Sequence, residues 1–439
     1  MKTTPRLLPS VRVTLCATLC ITLAACHGIL DVSDPTLIRD SDIANANGAN
    51  ALRLHALQTF NDNFAQGSIV ADVAQFTDEW TRDVIATYPV ESDRNVQLDL
   101  RNSQAIEALS SSTDPHLGPL TNSLWQTSIA ISAIKAYTPD SLKGDFLAEM
   151  YGIRGYLILQ MAEDLCSGFP INDVADSHTV YGGPLTTDSA MVLASSVLDS
   201  ALKYVRDSAS FMTLARVVKG RALLDQGKYA DAAAMVASVP TDSVFRSRGA
   251  LVNMPFDPET NQVALGNNEG TNGQAFVSAH DPRVGLLVFV PRNTDSTDTL
   301  YITSKGYGEA DYFVFAGGTE ARLIQAEVAA HDNDPSYKTI LDSLRTKVGL
   351  GALVDPGTRD GRIDQVYSER AFWLFMTGRR LGDLRRLIKN YGRDPETVFP
   401  TGLWRGGTGD HYGTATAIPW ILAFQQAYNP NIINGCTER

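Results

Sequence analysis

Apolar residues recur every three to four positions through most of this chain, and this spacing predicts amphipathic helices. Ser41 or Asp42 is the expected cap of the first helix, and Gly, Pro and Asp residues separate the later ones. The predicted helices cover residues 44–66, 70–85, 95–109, 118–136, 143–163, 188–208, 211–226, 229–236, 319–331, 335–349, 361–377 and 379–390, with a short one near 420–427. The pattern therefore predicts an all-α scaffold.

One predicted helix pair has the sequence of a tetratricopeptide-like helix–turn–helix. Gly220 and Ala232 are small enough for two helices to approach closely, and Gly227 marks the turn between them. Tyr229 is expected to fill the groove between the two helices. A divergent earlier unit could begin within residues 148–163. Because an array needs about three repeats for its own stability, this pair is expected to pack within one large domain.

The helical pattern stops between about residues 239 and 318, where the sequence is rich in Asn, Asp, Gly and Thr. Residues 286–291 and 299–303 have the composition of short strands. This segment is predicted to be a long insertion of loops and strands within a single helical domain that covers residues 44–439.

The amino terminus has the layout of a secretory signal. Basic residues precede an apolar run, which ends at Leu23-Ala24-Ala25-Cys26. Small residues directly before a cysteine are typical of a bacterial lipobox, so residues 1–25 are predicted to be a signal peptide and Cys26 a lipidated residue. Two or more acyl chains give stable membrane anchoring. The alternative is an ordinary cleaved signal with a chance cysteine.

The predicted location is the outer membrane, with the lipid as anchor and the protein facing the cell exterior. His27 follows the cysteine where an Asp would indicate retention in the inner membrane, and residues 26–43 form a polar tether. Hydrophobic residues at 44% and charged residues at 20% indicate a globular core. The net charge of −12 argues against a nucleic-acid partner.

Two cysteines, Cys166 and Cys436, lie far beyond the signal and Cys26. In an exported chain this pair predicts a disulfide that ties the carboxyl terminus back to the Cys166 loop. Closing so long a loop stabilises by about 4–5 kcal/mol if chain entropy dominates. The alternative is two unrelated buried thiols.

The densest motif runs from Ser368 to Arg386, where one helix ends near Gly378 and the next begins at once. Its charged residues are predicted to form a structural ion network around this corner, since guanidinium groups bridge carboxylates well. These residues are Glu369, Arg370, Arg379, Asp383 and Arg386. The alternative is an anion-binding site built from the arginines.

This block resembles the carboxyl-terminal corner of SusD/RagB-like lipoproteins, the nutrient-binding partners of TonB-dependent outer-membrane transporters. Three further segments resemble that family and occur in its order. They are Leu30-Asp31-Val32 with Pro35, Asp281-Pro282-Arg283, and the run from Glu320 to Glu327.

The resemblance implies an all-α scaffold with tetratricopeptide-like helix pairs and a loop-rich ligand-binding face. It also implies a cell-surface lipoprotein that captures oligosaccharides or peptides and acts as a lid on a SusC-like TonB-dependent transporter. Such a protein carries out no reaction and needs no cofactor. Trp373, Thr377 and Gln325 depart from the family pattern, which leaves the ligand class open.

The sequence offers little for catalysis. The histidines have no metal-type spacing, and no nucleophile motif or phosphate-binding loop is present. Asp78, Glu79 and Asp83 lie near Trp80 and could mimic a glycosidase pair, but a solvated helix face explains them more simply. We therefore predict neither an enzyme nor a metal site, with a secreted hydrolase as the outside alternative.

Oligosaccharides are recognised by flat aromatic faces with polar neighbours. Three clusters offer this combination. They are Trp80, Arg82 and Tyr88; Tyr301, Tyr307 and Tyr312; and Trp404, Arg405, His411 and Tyr412. Trp80 is the first candidate, because it falls roughly where the family places a binding aromatic. Each ring could instead be ordinary packing.

The alternative function is a tetratricopeptide-type scaffold lipoprotein that organises envelope proteins. A single clear repeat and a long irregular insertion favour the binding protein over the scaffold. The acidic charge favours neutral glycans or peptides as ligands.

Overall fold

The computed structural model describes residues 44–65, 68–82, 94–108, 114–175, 178–247, 263–289, 300–304, 312–404 and 409–437. Helices dominate, so the predicted all-α class is confirmed. In chain order the helices are α1 Ala46–Ala65, α2 Ser68–Phe76, α3 Arg94–Asp99, α4 Ser103–Ala108, α5 Leu117–Tyr137, α6 Asp140–Asp164, α7 Thr187–Tyr204, α8 Ala209–Asp225, α9 Tyr229–Val236, α10 Gly318–His331, α11 Ser336–Lys347, α12 Arg359–Trp373, α13 Arg380–Tyr391, α14 Pro395–Val398 and α15 Leu422–Tyr428.

Short antiparallel strand pairs join the loops. The strands are β1 Trp80–Arg82, β2 Phe169–Pro170, β3 Asp173–Ala175, β4 His178–Val180, β5 Pro184–Leu185, β6 Val244–Arg246, β7 Val263–Leu265, β8 Leu286–Phe289, β9 Leu300–Thr303 and β10 Val314–Gly317. They pair as β1–β7, β2–β5, β3–β4, β6–β10 and β8–β9. The strands predicted near 286 and 299 are β8 and β9, so the insertion does contain strands.

Helices α5 to α10 pack in succession, each against the next, and α1 lies against α5. One buried cluster fills the space between α1, α5, α6, α7 and α8, and a second lies among α10 to α13. The centre of the first is aromatic: the Phe60 and Phe315 rings are 4.3 Å apart, and Tyr156 meets Phe315 edge-on at 5.6 Å. Burial of these rings supplies much of the driving force for folding.

The predicted helix pair is α8 and α9, and its close approach depends on Gly220. A Cβ at this position would lie 2.5 Å from Val236 Cγ1, too close for any other residue without a shift. Gly227 turns the chain with φ of 72°. Tyr229 does not fill the groove between the pair as expected. Its ring stacks on His331 of α10 at 3.6 Å, because the third helix supplies the neighbouring surface.

Two predicted helices are shorter than expected. The helix predicted for 70–85 ends at Phe76, since Asp78 has φ of 71° and Trp80 begins β1. The helix predicted for 95–109 is divided into α3 and α4 by Arg101, which has φ of 55°. Helix periodicity cannot reveal such breaks when the residue at the break is not Gly or Pro.

The predicted disulfide between Cys166 and Cys436 is present, with Cα atoms 5.5 Å apart. Next to it Thr437 N donates to Ser167 O at 2.9 Å, so the end of the chain is paired with the loop after α6. Cys26, the signal and the tether lie outside the described residues. No helix in the described part of the chain is long and apolar enough to span a membrane.

Candidate functional site

The corner between α12 and α13 is held from several sides by buried side chains. Met376 and Gly378 have φ of 57° and 71°, which turns the chain sharply. The Met376 amide donates to Glu79 Oε1 at 3.0 Å, and Gln160 Nε2 donates to Gly378 O at 2.9 Å. Side chains from α6 and from the segment before β1 therefore fix the corner.

Arg370, Asp383 and Arg386 form the centre of a buried ion network. Arg370 donates to both Asp383 oxygens at 2.8 and 2.7 Å, and Arg386 Nη2 reaches Oδ1 of the same carboxylate at 2.8 Å. Arg386 also binds Glu327 and Asp225, at 2.8 and 2.6 Å. Burial alone would raise the pKa of Asp383, but the two guanidinium groups outweigh it and lower that pKa.

The other two predicted members lie elsewhere. Glu369 faces away from Arg370 and accepts from Arg283 Nη1 at 2.6 Å and from Arg345. Arg379 has no carboxylate among its hydrogen-bond partners in the described chain. It donates to Gln160 Oε1, Tyr156 Oη and Phe315 O at 2.7 to 2.8 Å. The predicted single network is thus corrected to two separate ones, with Arg379 in neither, because successive helix positions point in different directions.

The candidate acid pair near Trp80 is structural. Asp78 and Glu79 are buried rather than on a solvated face. Asp78 accepts from Arg380 Nε at 3.2 Å and from the Gln274 amide at 2.9 Å, while Glu79 holds the corner amide. Asp83 lies outside the described residues. Within those residues no three His, Cys, Asp or Glu side chains are grouped so that they could hold a metal ion.

Trp80 and Trp404 do not present their rings to solvent. Each is only 3% exposed, Trp80 in the main core and Trp404 beside Val96 and Leu100. The Trp404 indole donates to Asp99 Oδ2 at 3.2 Å. Their expected role as stacking platforms is therefore corrected: strand pairing and core packing cover these large apolar rings.

The remaining predicted ligand residues are distributed differently. Tyr301, in β9, is half-buried and packs against the main core. Arg82 lies in β1, opposite Val263 of β7. Tyr88, Tyr307 and Arg405 lie outside the described residues. Tyr312, which is 40% exposed and lies two residues before β10, stacks under the guanidinium of Arg246 in β6 at 4.1 Å. The local sequence does not indicate this contact, because the two residues are far apart along the chain.

The third cluster does reach the surface. A loop at residues 267–274 packs against the described parts of the tail, residues 399–404 and 409–412, and forms what we call the tail surface. It comprises Asn268, Thr271, Leu403, His411 and Tyr412, all exposed or half-exposed. The two segments are joined by the Thr271 and Thr401 hydroxyls at 2.8 Å, and by Asn272 Nδ2, which donates to Phe399 O at 2.8 Å.

Tyr412 is the aromatic residue of the tail surface. Its hydroxyl lies 3.5 Å from Glu269 Oε2. Burial of the hydroxyl, with Asp99 and Glu269 nearby, raises the pKa of Tyr412 above its ordinary value, so the phenol stays neutral. The hydroxyl is directed inward, so the partly open ring and the neighbouring Asn and Thr side chains are the groups that suit a polar, uncharged ligand.

Solved structures with the same fold include several SusD-like proteins. A SusD superfamily protein from Bacteroides thetaiotaomicron has a TM-score of 0.64 at 14% identity, covering 90% of this chain and 100% of that one. One from Bacteroides vulgatus has a TM-score of 0.62 at 13% identity, covering 88% and 97%. Surface glycan-binding protein A from Bacteroides thetaiotaomicron, in complex with laminarihexaose, has 0.61 at 13%, covering 89% and 99%.

This chain therefore has the SusD-like fold, and the resemblance inferred from its motifs is confirmed at that level. No sequence-family model and no curated protein matches the chain.

Proposed function

We propose that this protein is a non-enzymatic, cell-surface lipoprotein that binds oligosaccharides. The observation that carries the proposal is the shared fold, which extends over 89% of this chain and 99% of a surface glycan-binding protein that holds laminarihexaose. The lipobox at Cys26 supports attachment to the outer membrane. Peptide capture is the second ligand class that the same fold resemblance allows.

The tail surface is the proposed contact for the glycan. Tyr412 supplies a ring face, and Asn268, Thr271 and His411 supply hydrogen-bonding groups at its side. The fixed packing of the loop on the tail reduces the ordering that binding requires.

Calorimetric titration of the mature protein with laminarihexaose and a panel of neutral oligosaccharides tests this proposal. We expect one or more glycans to bind, and Tyr412→Ala to weaken that binding about tenfold, since loss of a stacking ring removes about 1.4 kcal/mol. Tyr137→Ala, at another exposed tyrosine, is the matched control and leaves affinity unchanged. Failure of every glycan, with binding of a peptide panel instead, would transfer the proposal to peptides.

Delivery to a SusC-like TonB-dependent transporter is the second part of the proposal. Affinity purification of the lipidated protein from solubilised outer membrane is expected to recover a large β-barrel protein in near-equal amount. Recovery of soluble envelope proteins without a barrel would support the scaffold function instead. Cys26→Ser removes the proposed anchor, and we expect that variant to be absent from the membrane fraction.

A further inference from the structure

The sequence contains three Asn-Gly pairs, which begin at Asn47, Asn272 and Asn434, and all three lie in the described part of the chain. An asparagine is chemically least protected when glycine follows it, because glycine has no Cβ to shield its backbone nitrogen. That nitrogen can attack the side-chain amide carbon of the preceding asparagine. The fold holds the three pairs differently, and this difference decides which of them reacts.

The pair at Asn272 is fixed inside the loop that packs against the tail. Gly273 N donates to Glu269 O at 2.9 Å, and Asn272 Nδ2 donates to Phe399 O at 2.8 Å. The backbone around Gly273 is also crowded, since a Cβ there would lie 2.5 Å from Glu269 N. Both reacting groups are therefore held by other contacts, and the pair is protected.

The pair at Asn47 lies in the first turn of α1, where helical geometry fixes the backbone. Gly48 is buried, and its N–H donates to Asn45 Oδ1 at 3.0 Å. The nitrogen that would have to attack is thus engaged in a hydrogen bond at the helix start, and this pair is protected as well.

Asn434 is held by neither kind of contact. It is exposed at a bend of the tail, between the buried Ile432 and Cys436 of the disulfide. Within the described chain, neither the Asn434 side chain nor the Gly435 N–H has a hydrogen-bond partner. Gly435 is uncrowded too: a Cβ there would lie 3.8 Å from its nearest contact, Leu422 Cδ2. The two reacting groups can therefore approach each other.

The chain on both sides of this bend is anchored. Before it, Asn431 Nδ2 donates to Tyr181 O at 2.9 Å; after it, Cys436 forms the disulfide and Thr437 N donates to Ser167 O at 2.9 Å. A rearrangement at the bend is therefore local and does not require the domain to unfold.

We propose that Asn434 is a modification site, at which the chain deamidates spontaneously through a cyclic imide with Gly435. The Gly435 nitrogen gives its proton to hydroxide and bonds to Asn434 Cγ; the Cγ–Nδ2 bond breaks, and the nitrogen leaves as ammonia after taking a proton from water. Water then opens the imide. Cleavage of the new N–Cγ bond gives aspartate, and cleavage of the original peptide C–N bond gives isoaspartate.

Both products place a new carboxylate next to Ile433, which is 77% exposed. The isoaspartate product also routes the backbone through Cγ and so lengthens it just before the disulfide. Because no anchor of the tail involves the Asn434 side chain, the fold is expected to survive the change.

The test is incubation of the mature full chain in mildly alkaline heavy-oxygen water, followed by peptide mapping with mass spectrometry. We expect the Asn434 peptide to take up heavy oxygen and to separate into aspartate and isoaspartate forms. It should react about tenfold faster than the Asn47 and Asn272 peptides, since those must first break the hydrogen bonds of their glycines. An intact Asn434, or equal rates at the three pairs, would overturn the proposal.

Gly435→Ala is the matched variant, because its Cβ shields the nitrogen while the site accepts it. The φ of Gly435 lies outside the left-handed region, and the added Cβ makes only ordinary contacts. We expect deamidation at Asn434 to slow at least about tenfold, with unchanged rates at Asn47 and Asn272 and an unchanged thermal unfolding curve. Asn434→Asp supplies the standard for the aspartate product. Undiminished isoaspartate in Gly435→Ala would contradict the assignment.

Discussion

His116 lies between two buried carboxylates and joins three helices. Its Nδ1 is 2.9 Å from Asp72 Oδ2 and its Nε2 is 3.2 Å from Asp164 Oδ2, so both ring nitrogens face acceptors. Burial alone would lower the pKa of His116, but the hydrogen bonds to Asp164 and Asp72 outweigh it and raise that pKa to about 9. The imidazolium thus links α2, α5 and the end of α6 as a fixed charge.

We predict that this link makes stability depend on alkaline pH. The folded pKa of about 9 lies above the ordinary 6.5, so the contribution is complete below pH 6.5 and is lost as pH rises through 9. The loss amounts to about 3 kcal/mol in the free energy of unfolding. Urea denaturation of the wild type and of His116→Gln at several pH values measures it.

His116→Gln is expected to be less stable than the wild type by about 3 kcal/mol at pH 7, because loss of the imidazolium leaves two buried carboxylates without their shared cation. Its stability should then change little as pH rises from 7 to 9.5. Parallel pH profiles for the two proteins would show that His116 is neutral in the folded state.

The single element best predicted from the sequence is the corner between α12 and α13. Its helices, its turn at Gly378 and its mixture of Arg with Asp all lie within one short segment. The partners Asp225 and Glu327 come from other helices, and nothing in the local sequence connects them to Arg386. Local pattern therefore predicts that a charged network exists, while the fold decides which carboxylate each arginine contacts.

The elements least well predicted are those whose conformation depends on distant pairing. The helical spacing of the apolar residues predicts a helix through Trp80, but Trp80 pairs instead with Leu265 in β7. Pairing buries the ring and removes it as a surface for ligands. The contact between Tyr412 and the 267–274 loop also joins segments that are far apart in the sequence. The local sequence therefore does not predict the tail surface, which forms only when these two loops meet.

At the scale of the whole molecule, the fold reached from a few ordered motifs agrees with solved structures that share only 13–14% identity with this chain. Such agreement is expected when packing of helices conserves the scaffold while the loops change. Ligand specificity is therefore set by the side chains in the loops and cavities, and binding has to be measured on this protein itself.

The disulfide acts on the whole molecule, because Cys166 and Cys436 are 270 positions apart and their bond closes most of the described chain into one loop. We predict that Cys166→Ala with Cys436→Ala lowers the free energy of unfolding by about 3–5 kcal/mol, mainly by freeing the unfolded chain. Denaturation with and without reductant measures this. Reductant should destabilise the wild type to a similar extent and leave the double variant unchanged.

Since Cys166 is buried beside Ile418 in the loop after α6, equal stability of oxidised wild type and double variant would mean that core packing alone holds the tail in place.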